Sequence, residues 1–201
     1  MEDKNTISSR ILNSASVMFF KYGYSKSTAD EIAREAGVSK RTMYKYYPGK
    51  SNILEHLIDM KISILHQQMQ DILNSDFDFP EKLKKSVSTV TATLQEINRD
   101  FLDDIRKSVP EIWQKISDYK KELVEKYYTK ILFEGKKSGH FKENINIGVA
   151  VLLMMNAMEL ILNPPAKGGL PEELEKHVPA KAEVLFDEVL ELIYNGILAN
   201  D

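Results

Sequence analysis

Apolar residues recur along this chain in steps of three and four, and no long stretch alternates apolar with polar. That spacing lines up side chains on one face of an α-helix, whereas a half-buried strand needs a period of two. The clearest run holds Leu83, Val87, Val90, Leu94, Ile97 and Phe101. The pattern predicts an all-α fold of about nine helices, three in a head over residues 1–49 and six in a body over residues 50–201.

Start and stop signals divide the run of helices. The first spans about Ile7 to Tyr22, with Ile11, Ala15, Met18 and Phe19 on one face, and Gly23 supplies the left-handed end. Thr28 is a suitable N-cap, and Glu31 three residues on completes a capping box. Ile32, Ala33 and Ala36 form the apolar side of that second helix, Gly37 turns the chain, and Val38 fills the angle. Ser39 caps a third helix with Met43 and Tyr47 inward, which Pro48 stops.

In the body a long helix is expected from about Lys50 to Leu73, followed by a loop over residues 74–80. Pro110 divides a short helix from a long one reaching about Lys137, which Gly139 closes. Residues 147–162 are apolar nearly all round, so burial on more than one side is expected. Residues 164–171 read as a loop, and a last helix covers about 179–198.

Charge is uneven. Residues 1–50 carry nine Lys or Arg against five Asp or Glu, and residues 51–201 carry eighteen against twenty-five. A basic head on an acidic body suits nucleic acid at one end. The chain has no cysteine, so disulfides and thiolate metal sites are out, and its four histidines lack ligand spacing. No cofactor is expected. The start lacks a secretory signal pattern, and the longest apolar run is far short of a membrane span. A cytoplasmic protein with no membrane partner is expected. Phosphate-loop, nucleophile-elbow and metal-helix motifs are absent, which argues against an enzyme.

Residues 28–50 carry the functional signal. Two short helices joined at Gly37, the second bearing Lys40, Arg41, Thr42, Tyr44 and Lys45, make a helix-turn-helix of the kind that enters a DNA major groove. Over residues 8–55, Ile11-Leu12, Ala15, Phe19, Gly23-Tyr24, Thr28, Ile32-Ala33, Ala36-Gly37-Val38-Ser39, Thr42-Met43-Tyr44, Tyr46-Tyr47, Lys50 and Leu54 resemble the amino-terminal domain of TetR/AcrR-type transcriptional regulators. The resemblance implies a homodimeric repressor on a double-stranded DNA operator, released by a small-molecule effector. Arg41 departs from the glycine or small residue frequent in that family, and Tyr47 from its phenylalanine, whose added hydroxyl needs a partner.

Within this reading Lys40 and Arg41 face base edges, where Arg41 has the fork for a guanine. Tyr44 lies one turn on, for a thymine methyl or a phosphate. Ser39 and Thr42 stand at the helix start, and Lys45 and Tyr46 flank it as backbone contacts. Thr28 and Lys50 are expected on phosphate, Lys50 by resemblance to the family's backbone-gripping lysine.

Two heads on a near-palindrome call for a symmetric dimer. The apolar helices offer Val151, Met155, Leu162, Val189, Ile193 and Ile197 as its interface, with an internal core as the alternative. An effector cavity would draw on Phe101, Ile105, Trp113, Ile116 and Tyr119, with Met154, Met155 and Met158. The same residues at helical spacing also make plain core. Asn156 within its apolar helix needs a hydrogen-bond partner. An activator, a ligand-independent regulator or a helical protein-binding adaptor are the remaining alternatives.

Overall fold

The structure is a computed structural model that describes residues 4–95, 99–141, 144–162 and 170–179, with the pairs 184–185, 188–189 and 191–192. Its helices are α1 (Lys4–Tyr22), α2 (Ala29–Glu35), α3 (Lys40–Tyr46), α4 (Lys50–Asn74), α5 (Phe79–Gln95), α6 (Arg99–Ser108), α7 (Pro110–Leu123), α8 (Thr129–Lys137), α9 (Ile147–Leu162) and α10 (Glu172–Glu175). A π-helical turn, Val124–Tyr128, joins α7 to α8. No β-strand occurs among the described residues, and the chain is all-α.

The chain divides into two compact units. The first comprises Met1–Gln67 and Glu96–Lys120. Here α1 packs on α2 and α6, and α2 packs on α3. The apolar stripes converge as their spacing demands: Ile11, Phe19, Ile32, Met43, Ile53 and Leu54 are fully buried. Phe101 and Ile105 of α6 are buried with them, the Phe101 ring standing edge-on to Phe20 with centroids 4.9 Å apart.

The second unit comprises Gln68–Gln95 and Lys121–Asp201. There α5 packs on α8, and α8 on α9. Gly135 lets the Phe79 ring lie directly against α8, since a Cβ at residue 135 would sit 2.5 Å from two ring carbons. Lys82 of α5 is buried, and its ammonium donates to both carboxylate oxygens of Glu134 at 2.9 and 3.0 Å.

Several expectations change. The stripe from Leu83 to Phe101 serves two helices, because α5 ends at Gln95 and Phe101 belongs to α6. The long helix from Pro110 is interrupted by the π turn. Thr129 closes it, donating its N–H to the Val124 carbonyl and its hydroxyl to the same oxygen at 2.8 Å. The wider turn carries two consecutive tyrosines, Tyr127 and Tyr128, and both are buried. The short helix α10 lies between the loop expected at 164–171 and the last expected helix, where no element was expected.

Among the described side chains of the 147–162 helix, the expected burial is met at Ala150 but not all round. Val149, Leu152 and Leu153 are 51 %, 59 % and 52 % exposed. Asn156 solves its own problem by donating Nδ2 to the Leu152 carbonyl at 2.8 Å. The expected last helix lies largely outside the described residues, as do the side chains of Met154, Met158 and Leu162 and all of Ile193 and Ile197.

Candidate nucleic-acid interface

Local sequence builds the two crossing helices. The α2 N-terminus is a complete capping box: the Glu31 N–H donates to the Thr28 hydroxyl oxygen, and the Thr28 N–H donates to the Glu31 carboxylate at 3.0 Å. The Thr28 hydroxyl donates to the same carboxylate at 2.7 Å. These bonds, the hydroxyl's first, hold the Glu31 carboxyl below its ordinary range. Thr28 is therefore engaged on both its donor and acceptor sides, and an acidic group already sits at the helix start. The phosphate contact expected of Thr28 has to displace that box.

At the far end of α2, Ala36 and Gly37 bring the chain round, with Gly37 at φ +63°. Residues with a Cβ rarely adopt that conformation. The Val38 N–H returns to the Ala33 carbonyl at 2.9 Å, which fixes the turn. Ser39 then caps α3, accepting the Thr42 N–H at 3.0 Å. Its hydroxyl also pairs with that of Thr42 at 2.8 Å, so both residues serve first as helix starters.

Met43 and Tyr47 point inward, and the opposite flank of α3 is open to solvent. Lys40, Arg41 and Lys45 are exposed, Tyr44 is 41 % exposed, and Thr42 and Tyr46 are half-buried. These outward groups separate electrostatically. The Lys40 ammonium donates to Asp30 of α2 at 2.8 Å, and that bond raises its pKa. Arg41 makes no hydrogen bond or ion pair among the described residues, so its guanidinium is presented to solvent with its fork intact.

Lys50 is engaged within the head. Its ammonium donates to the carbonyls of Tyr24 and Ser27 at 2.8 and 2.9 Å and lies 4.1 Å from the Tyr24 ring centroid. Burial lowers its pKa against the opposing pull of Asp104. Asp104 of α6 takes the Ser25 N–H at 2.6 Å and the Ser25 hydroxyl, and accepts from Ser108 at 3.0 Å. Desolvation acts to raise the Asp104 carboxyl, but the bonds from Ser25 and Ser108 and the Lys50 charge outweigh it, leaving a lowered pKa. The loop joining α1 to α2 is thus gripped by a cation at its carbonyls and an anion at its N–H.

Sequence reasoning missed three groups here. Asp104 and Ser25 are far apart in the chain and carry no motif. Arg10 of α1 reaches the α2–α3 turn, and helical spacing alone does not show where a half-buried arginine points. The hydroxyl of Tyr47 finds its partner in Ser8 of α1, at 2.7 Å.

The expected effector residues do not gather in one unit. Phe101, Ile105, Trp113, Ile116 and Tyr119 belong to the first, and Met155 to the second. Phe101, Ile105 and Tyr119 are buried, while Trp113 and Ile116 are half-buried. Of the expected interface residues, Met155 is exposed and Val151 and Val189 are half-buried.

The sequence model of the family described as "Bacterial regulatory proteins, tetR family" matches residues 11–57, the stretch that holds α2, α3 and the start of α4. The "Fatty acid metabolism regulator protein" of Bacillus subtilis (strain 168) is 26% identical over 200 residues, covering 98% of each chain. The crystal structure of the transcriptional regulator FadR from Bacillus subtilis in complex with stearoyl-CoA is 24% identical, with a TM-score of 0.67 over 94% of this chain and 98% of that one. A putative transcriptional regulator from Saccharomonospora viridis in complex with choline shares the fold at a TM-score of 0.77, with 15% identity over 98% of this chain and 100% of that one.

Proposed function

Since the chain is a TetR-family DNA-binding transcriptional regulator, we propose that it acts as a homodimeric repressor whose α3 reads the major groove of a near-palindromic operator. The observation that carries this reading is the outward flank of α3. Arg41 and Lys45 are exposed cations, and Tyr44 is exposed between them along the helix. An unengaged guanidinium at the start of a reading helix has the geometry for guanine O6 and N7. Lys40 joins it by exchanging Asp30 for DNA.

Dimerisation through α9 supplies the second half-site. Its exposed face runs through Val149, Leu152, Leu153 and Met155, more apolar surface than one soluble helix leaves to water. Such a face and its symmetry mate bury one another across a two-fold axis. Sedimentation at micromolar concentration reads this directly, and a monomer there refutes it.

Release by an effector completes the proposal. The Bacillus subtilis regulator FadR takes stearoyl-CoA, and the apolar lining expected of the body suits an acyl chain. A long-chain acyl thioester is therefore the first effector to try. Binding would favour a state in which the two heads no longer match the operator spacing, to the extent that the effector prefers that state.

Selection of bound duplexes from a random-sequence library tests the reading, since an inverted repeat is expected. Arg41→Ala should then weaken the selected duplex by about 1–3 kcal/mol while barely changing random DNA. Equal losses on both would remove Arg41 from the reading surface. An operator complex that no acyl thioester or other apolar ligand dissociates would refute the effector step.

A further inference from the structure

DNA reading depends on where α3 points, and α3 is too short to fix its own direction. It has seven residues, and side chains of α1 hold the chain just before and just after them. At the near end Arg10 donates Nε to the Ala36 carbonyl at 2.9 Å, and Nη2 to the Ala36 and Gly37 carbonyls at 2.5 and 3.0 Å. These oxygens lie at the carboxyl end of α2, where helix carbonyls lack partners within the helix and carry partial negative charge. A cation with a planar fork satisfies them together. At the far end Ser8 and Tyr47 join hydroxyls at 2.7 Å, and Tyr47 is the residue that ends α3.

Gly37 is shaped by the same clasp. It needs a positive φ, and a Cβ there would lie 2.5 Å from Arg10 Nη2. The turn has no side chain where the guanidinium enters. The glycine therefore both permits the bend and leaves room for the arginine that reads its carbonyls.

We propose that Arg10, together with the Ser8–Tyr47 bridge, is a positioning device for operator specificity: it sets the direction of α3 without itself touching DNA. The proposal rests on the DNA-reading role of α3. Arg10 spends three hydrogen bonds on backbone oxygens, which a phosphate-binding arginine would keep for the duplex. The consequence is a separation of terms. Base contacts within the groove require the correct angle, whereas the non-specific attraction of cations to phosphate tolerates a small tilt.

The test uses the full chain and the duplex selected by the wild-type protein, beside a random duplex of equal length, over a range of salt. Wild-type protein that selects no sequence would sink the DNA-reading role itself, separately from this inference. Given a selected duplex, Arg10→Met should weaken it roughly tenfold, leave the random duplex within about twofold, and keep the salt slope, with Arg10→Lys recovering part of the loss. Tyr47→Phe keeps the ring, removes the bridge, and should shift the same ratio by a smaller factor, which tests the idea even if Arg10→Met folds poorly. Equal losses on both duplexes with a flatter salt slope would make Arg10 a phosphate contact and overturn the proposal. Unchanged selectivity in both variants, with only a lower melting temperature, would overturn it as well.

Discussion

Gly135→Ala puts intrinsic propensity against packing, and the two predict opposite signs. Gly135 lies inside α8, where replacing glycine by alanine ordinarily stabilises a helix by about 1 kcal/mol. The structure says otherwise. A Cβ there would stand 2.5 Å from Cδ2 and Cε2 of Phe79 and 2.7 Å from Cγ. Ordinary carbon contacts are about 3.5–4.0 Å, so the ring must retreat by roughly 1 Å. It has little freedom to do so: Phe79 is 2 % exposed, with Phe141 edge-on at 4.9 Å and His140 at 5.4 Å.

Overpacking of this kind costs about 1–3 kcal/mol, occasionally more. Set against the propensity gain, the net change should be a destabilisation of up to about 2 kcal/mol. Urea unfolding at a fixed protein concentration reads it as a midpoint lowered by up to roughly 1 M at unchanged slope. Phe79→Leu in the same background should relieve the clash, so the double variant should be more stable than the sum of the two single effects by about 1 kcal/mol or more. A Gly135→Ala protein as stable as wild type, with additive behaviour in the double variant, would show that the ring is not seated against α8.

The remaining predictions concern charge. Glu134→Gln should cost about 1–2 kcal/mol and more than Lys82→Met, because it leaves a buried ammonium without its counter-charge while the methionine removes that charge altogether; denaturant midpoints decide the order. Lys50→Met should lower stability by about 1–2 kcal/mol, since the Tyr24 and Ser27 carbonyls lose a charged donor, yet keep the salt slope of DNA binding; a slope flatter by one unit would return Lys50 to a phosphate. The lowered carboxyl of Asp104 contributes stability that is full above the ordinary aspartate pKa and fades as pH falls through the lower folded value. Below about pH 4 the melting temperature should therefore fall less steeply for Asp104→Asn than for wild type, and identical acid limbs would argue against the charged bond to Ser25.

Much of the head was legible because its determinants are local. The Thr28 capping box, the Gly37 turn and the Ser39 cap each span six residues or fewer, and backbone geometry there follows from the side chains present. The inward and outward faces of α3 followed from helical period: Met43 and Tyr47 are buried, and Arg41 and Tyr44 are not. Periodicity was less reliable across Leu83 to Phe101, where one unbroken stripe serves two helices. It also gave no sign of the π turn before Thr129, because the steps of four from Leu123 to Tyr127 and Ile131 also fit the broad apolar face of an ordinary helix.

The sequence by itself determined the all-α class, the helix-turn-helix and the outward cations of its second helix, since these depend on neighbours a few residues apart. Only the tertiary structure decided which of those polar groups are already engaged. Lys40 is committed to Asp30 and Lys50 to two backbone carbonyls, while Arg41 is left open. Arg10 reaches Ala36 across 26 residues, and Asp104 reaches Ser25 across 79. A hydrogen bond depends on distances of a few tenths of an ångström, and between residues so far apart in the chain only the packed fold sets them.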